Sequence, residues 1–170
     1  MSNRTLQLHS LSLQEGRTYL FATLFIAGNI ILPQLCHLIP EGGLRLLPIY
    51  LFTLIGAYKY GANVGMLTAV ASPVINSLLF GMPAAAMLPI IVIKSILLAL
   101  AAAYAAQTTR RATLLTLVAV VAFYQGVGAL IEWAATGSFA AATQDIVLGI
   151  PGIAIQIFGG WFIINNILKR

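Results

Sequence analysis

YGANVGMLTAVASPVINSLLFGMPAAAMLPIIVIKS, Tyr60 to Ser95, decides the fold. One apolar run ends at Gly81-Met82-Pro83, which is turn chemistry, and a second apolar run follows it. Each run is about 20 residues, the length an α-helix needs to cross a hydrocarbon core of about 30 Å. Near the middle of the second run sits Lys94, the only charge in that run. A full charge at the centre of a membrane helix costs about 2.5–3.5 kcal/mol. Some feature must offset that cost, and that feature is a candidate for the function.

The rest of the chain has the same character. Hydrophobic residues make up 60% of it and charged residues 8%, whereas a soluble domain carries about 25% charge. The composition implies an integral membrane protein with no room for a separate soluble domain. The cations behind the net charge of +5 lie mostly at helix ends, with no basic patch interleaved with aromatics, so nucleic acid is not an expected partner. The single Cys36 leaves no intrachain disulfide and no CxxC metal site, and His9 and His37 lack a second ligand at helical spacing. Neither a metal nor a cofactor is expected.

The all-α fold expected from these runs is a bundle of six transmembrane helices. Residues 1–18 are a polar, mixed segment that could form a short surface helix, without the small-residue cleavage site of a secretory signal. Span one is Tyr19 to Leu38, with Pro33 expected to kink it and free a backbone carbonyl. Span two is Leu44 to Tyr60, with Pro48 in its first turn, where a missing N–H is tolerated. Span three is Ala62 to Phe80. Its residues Gly65, Ala69, Ser72 and Asn76 share one face, suited to packing or to lining a cavity. Span four is Ala84 to Ala106, with Pro89 expected to open the helix before Lys94. Span five is Ala112 to Ala134, with Gln125 and Glu132 on one face. A connection from Ala135 to Asp145 leads to span six, Ile146 to Leu168, where Gly149, Gly152, Gln156 and Gly160 share a face.

Six spans starting from the inside put Arg4, Arg17, Lys59, Arg110, Arg111, Lys169 and Arg170 on the cytoplasmic side. Glu41, Arg45, Glu132 and Asp145 then lie outside, and only Glu15 joins the inner cations. That is a positive-inside split with both termini cytoplasmic. Lys94, Glu132, Gln125, Gln156, Asn76 and Arg45 are the polar side chains at mid-depth or towards the outer ends. Such residues face a bundle interior or a water-filled cavity rather than lipid, so a pocket open to the outside is expected. Each also has a purely structural reading. Lys94 can pair with Glu132 or with a carbonyl freed by Pro89, the two glutamines can bridge helices, Glu132 can be solvated near a helix end, and Arg45 can be an ordinary loop charge. No GxSxG, HExxH, paired intramembrane acids or P-loop is present. The chain is therefore not expected to be an enzyme or to power transport by nucleotide hydrolysis, and it shows no internal repeat of the kind secondary transporters use.

Pro48-Ile49-Tyr50-Leu51 leads to Gly56-Ala57-Tyr58-Lys59-Tyr60-Gly61, followed by Ala62-Asn63-Val64-Gly65 and by Leu78-Leu79-Phe80-Gly81-Met82-Pro83. In these segments, and in length, span count and orientation, the chain resembles the substrate-binding S-components of bacterial energy-coupling factor (ECF) vitamin transporters. The resemblance implies a six-span substrate-binding domain over residues 19–170 in the bacterial cytoplasmic membrane, surrounded by lipid. It implies a vitamin or related micronutrient as ligand, and as partners a transmembrane coupling subunit and two cytoplasmic ATPase subunits. The family's outer pocket maps onto Lys94, Gln125, Glu132 and Gln156, with Arg45 and Asn76 on the loop side. Its small-residue docking face on span one maps onto Thr23 and Ala27, with Gly28 beside them, a departure from the Ala-x-x-x-Ala pattern.

A lysine in a low-dielectric site attracts an anion strongly, so a carboxylated vitamin such as pantothenate is the expected substrate, with a cobalamin precursor, lipoate or a pyrimidine also open. On that expectation Lys94→Met lowers substrate affinity at least about tenfold and leaves the protein folded. The competing classes are a self-sufficient small transporter or channel, and a membrane assembly subunit with no ligand.

Overall fold

The computed structural model describes residues 8–168. Arg4, Lys169 and Arg170, three of the cations used in the expected orientation, lie outside them, as do the first seven residues of the N-terminal segment. The helices are α1 (Gly16–Cys36), α2 (Gly42–Leu46), α3 (Leu51–Tyr60), α4 (Ala62–Phe80), α5 (Leu88–Thr109), α6 (Leu114–Thr136), α7 (Phe139–Leu148) and the helical run α8 (Ile150–Ile167). Two turns of α8, Ile155–Gly159 and Ile163–Ile167, are π-helical. No strand occurs among the described residues. Five helices, α1, α4, α5, α6 and α8, are long and apolar enough to cross a membrane. The protein is a multi-pass, all-helical membrane bundle.

Span two differs from the expected continuous helix. The segment is broken into α2, a 3-10 turn at Pro48–Tyr50, and the ten residues of α3. The reason is local. Pro48 disfavours a helical conformation in the residue before it, and Leu47 sits in the left-handed region at φ 45°. At 1.5 Å per residue α3 spans about 15 Å, half of a hydrocarbon core. Nine of its ten residues are buried, so it is wrapped by other helices rather than by lipid. Gly65 lets α4 lie directly on it: a Cβ there would be 2.4 Å from the Ala57 Cβ. The small face of α4 is thus a packing seam at Gly65 and Ala69, and a polar one further along at Ser72 and Asn76, all buried.

Pro33 does free a carbonyl in α1, that of Asn29, four residues before it. Asn76 Nδ2 of α4 donates to that oxygen at 2.9 Å. The Asn29 side chain closes the rest of the junction: its Nδ2 donates to Thr53 Oγ1 (3.0 Å) and Ser72 Oγ (3.3 Å), and its Oδ1 accepts from Phe52 N–H (3.3 Å) at the start of α3. First-turn N–H groups have no partner within their own helix, so Asn29 caps the broken segment from a neighbouring helix. Asn29→Ala removes that acceptor and two donors at a fully buried site. It is expected to destabilise the bundle by about 1–3 kcal/mol, read as a lowered midpoint for unfolding in mixed SDS–maltoside micelles.

The N-terminal segment is docked chain where it is described, not a surface helix. His9 N–H donates to Lys59 O (3.0 Å), Leu11 N–H to Tyr60 O (3.2 Å), and Asn63 Nδ2 to Leu11 O (2.8 Å). His9 stacks on Tyr60, which also packs against Phe21 and Phe25, with ring centroids 4.0 and 5.7 Å away. Helix α1 starts at Gly16, earlier than expected, and α5 begins at Leu88, so Pro89 falls in its first turn and opens no helix. The connection after α6 is not a loop. Ser138 caps a further helix, α7, by accepting from Ala141 N–H at 3.2 Å, and α7 carries Asp145.

Candidate functional site

Two features lie towards the end of the bundle marked by Glu41, Gly81 and Gly137. The first is a buried polar cluster between α5, α6 and α7. Lys94 Nζ is 2.6 Å from Glu132 Oε2 and 2.7 Å from Asp145 Oδ2. Lys94 is 1% exposed, Glu132 3% and Asp145 19%. The lysine stem runs through a notch on α6 where Gly128 has no side chain; a Cβ there would lie 2.6 Å from Lys94 Cγ. Further along the same face of α6, Tyr124 O–H donates to Gln156 Oε1 (2.8 Å) and accepts from Gln125 Nε2 (3.1 Å). Tyr50 packs against Tyr124, with ring centroids 5.3 Å apart. Three buried polar atoms around this stripe have no hydrogen-bond partner: Ser95 Oγ, Gln125 Oε1 and Gln156 Nε2.

This geometry revises the expectation for Lys94. The ammonium is not an open anion receptor, and its partner is not a carbonyl freed by Pro89. It is bonded to two carboxylates, and the three groups sum to a formal charge of −1. A carboxylate-bearing substrate, pantothenate included, would meet a net negative cluster whose only cation is already occupied twice. Glu132 is buried and paired rather than solvated near its helix end. Asp145, which the sequence places on the outer side at the end of the connection to span six, completes the cluster. The signal that could have placed it is Ser138 followed by ten residues with three alanines and no Gly or Pro, a capped helix rather than a link.

The second feature is a hollow of about 470 Å³ beneath the turns at the same end. The end of α1, the chain from Ile39 to Ile49, the Met82-Pro83 turn, Asn76 of α4 and Ile91 of α5 form its wall. The wall is mainly proline and aliphatic side chains, with His37, Glu41 and Asn76 as its polar members. The volume falls within the range of small-molecule sites, about 300–1,000 Å³. Ile91 stands one turn before Lys94 on α5, so that helix carries both features.

Of the six candidate residues, the fold therefore brings Lys94 together with Glu132, and Gln125 with Gln156. Asn76 lies apart from them, in the α1–α3–α4 junction at the wall of the hollow. Arg45 is exposed and held by Glu41, with Nε and Nη2 at 3.1 and 2.9 Å from its Oε2. On α1, Thr23 and Ala27 are exposed beside Leu20 and Leu24, whereas Gly28 turns inward, where a Cβ would be 2.9 Å from the Phe52 ring. A larger hollow, about 730 Å³, opens at the opposite end between the N-terminal strap, Tyr58, Gly61, the last part of α5 from Ala103 to Gln107, and Arg110 just beyond it. It is separate from the buried polar cluster. Compared with known proteins, the chain matches no family model, no curated protein and no solved structure.

Proposed function

We propose that this protein is the substrate-binding S-component of an ECF-type importer, taking a vitamin or related micronutrient from outside the bacterial cytoplasmic membrane. The observation that carries this reading is the small-solute hollow walled by the turns at one end of the bundle, with one wall residue, Asn76, holding a buried side-chain oxygen that has no hydrogen-bond partner. In this reading both termini are cytoplasmic and the chain passes the membrane six times, the broken segment Gly42–Tyr60 being the second passage. Its return from Cys36 to the N-terminal strap supports that path.

The exposed small residues Thr23 and Ala27 supply a face on α1 where a transmembrane coupling subunit packs closely, and two cytoplasmic ATPase subunits supply the energy. The protein itself performs no chemistry on the solute. Lys94, Glu132 and Asp145 hold α5, α6 and α7 together around the site. Gln125 and Gln156 join α6 to α8 through Tyr124.

Native mass spectrometry of the protein extracted gently from its membrane is expected to show one small molecule bound per chain, and adding that molecule is expected to raise the melting temperature. No bound solute and no stabilisation by any vitamin would favour a ligand-free assembly subunit. Solute uptake into liposomes by this chain alone would favour a self-sufficient transporter.

A further inference from the structure

We propose that the hollow beneath the turns seats an uncharged solute, one with an apolar body that presents an N–H or O–H donor to Asn76 Oδ1. This rests on the binding-subunit reading and names the class of solute it takes. Asn76 is 1% exposed and forms part of the wall of the hollow. Its Nδ2 has two hydrogens, and both are committed, one to Asn29 O at 2.9 Å and one to Ser72 O at 3.0 Å. The first of those acceptors exists because Pro33 cannot donate to it, so the amide is held in one orientation and cannot turn over without leaving that carbonyl unbonded. Oδ1 is then the free end, and it has no hydrogen-bond partner. An amide oxygen only accepts, so what satisfies it is a donor.

The charges at this end of the molecule select against ions. Lys94 is bonded to Glu132 and Asp145, and Arg45 to Glu41. An anionic solute in the hollow would find neither cation open, and its oxygens would face the lone pairs of Oδ1. A cationic one would meet a single carboxylate in the wall, Glu41, already bonded to Arg45, and otherwise His37 and Asn76 among proline, leucine, isoleucine and methionine, with no Phe, Tyr or Trp to receive it. An uncharged molecule with a lactam, amide, ring N–H or hydroxyl donor on an apolar body satisfies the free acceptor and buries the rest against the aliphatic wall.

The test uses the full chain in lipid nanodiscs, incubated with an aqueous bacterial metabolite extract, washed, and analysed for retained solute by native mass spectrometry. Asn76→Leu removes the acceptor. Ile91→Trp fills the hollow and leaves the Asn29–Asn76 junction intact. The wild type is expected to retain an uncharged solute carrying a hydrogen-bond donor, with retention lowered at least about tenfold in both variants. No retained solute in the wild type would sink the binding-subunit reading and this inference with it. A retained carboxylate or cation, a folded Asn76→Leu that keeps the solute, or an Ile91→Trp that keeps it would overturn this inference alone.

Discussion

Lys94→Met is expected to destabilise the bundle by about 3–5 kcal/mol, because it removes the cation from between two carboxylates and leaves them facing each other with nothing to offset them. Glu132 is nearly inaccessible and cannot recover its water; Asp145, at 19% exposure, recovers part of it. Breaking one partner of a buried ion pair is costly in a way that replacing the whole group is not. The variant Lys94→Met/Glu132→Gln/Asp145→Asn is therefore expected to regain most of the lost stability, and Lys94→Met alone to be the least stable of the series. Unfolding in mixed SDS–maltoside micelles, followed through Trp133 and Trp161, orders the variants. Equal stability of Lys94→Met and wild type would mean that the two acidic groups do not depend on the lysine. That expected ordering stands against the simpler expectation that this variant stays folded and loses only substrate affinity.

The contrast between those expectations shows which parts of the molecule are legible in its sequence. Hydropathy and run length identify helices α1, α4, α5, α6 and α8, because crossing a bilayer demands a long uncharged stretch. They do not distinguish α3, which is as apolar as its neighbours but buried among them: burial in protein and burial in lipid select the same side chains. Pro48 marked the break, yet a proline near a helix start is also harmless, and the choice depends on Leu47, whose left-handed backbone no propensity predicts.

The polar residues show the same limit. Pro33 announces a freed carbonyl, and Asn76 sits on a face identified as non-lipid, but only the packing of α1 on α4 joins the two. Lys94 and Glu132 announce a pair. Asp145 does not, because a charge just outside a span reads as solvated until α7 folds back and delivers it to the lysine. Asn29 gave no signal at all. A single amide in a first span looks incidental, and it holds three helices together.

The second large effect is expected at Gly128, and it tests whether the lysine is held at its head. A methyl group at this position would lie 2.6 Å from Lys94 Cγ and 3.3 Å from Cδ. A free lysine stem would swing aside at little cost. This one is tied by Nζ to two carboxylates on different helices, so the stem has no slack and the strain passes into the α5–α6 packing. Gly128→Ala is expected to destabilise the protein by about 1–3 kcal/mol, the range for an overpacked interior.

In a Lys94→Ala/Glu132→Gln/Asp145→Asn background the stem is gone, and the same substitution should reverse sign. Alanine is favoured over glycine in a helix interior by about 1 kcal/mol, with no neighbour left to meet it. The two Gly128→Ala effects, measured as a cycle in mixed micelles, give the coupling directly. A Gly128→Ala that costs the same in both backgrounds would show that the lysine stem gives way freely, and that the Lys94–Glu132–Asp145 contacts do not fix its path through the bundle.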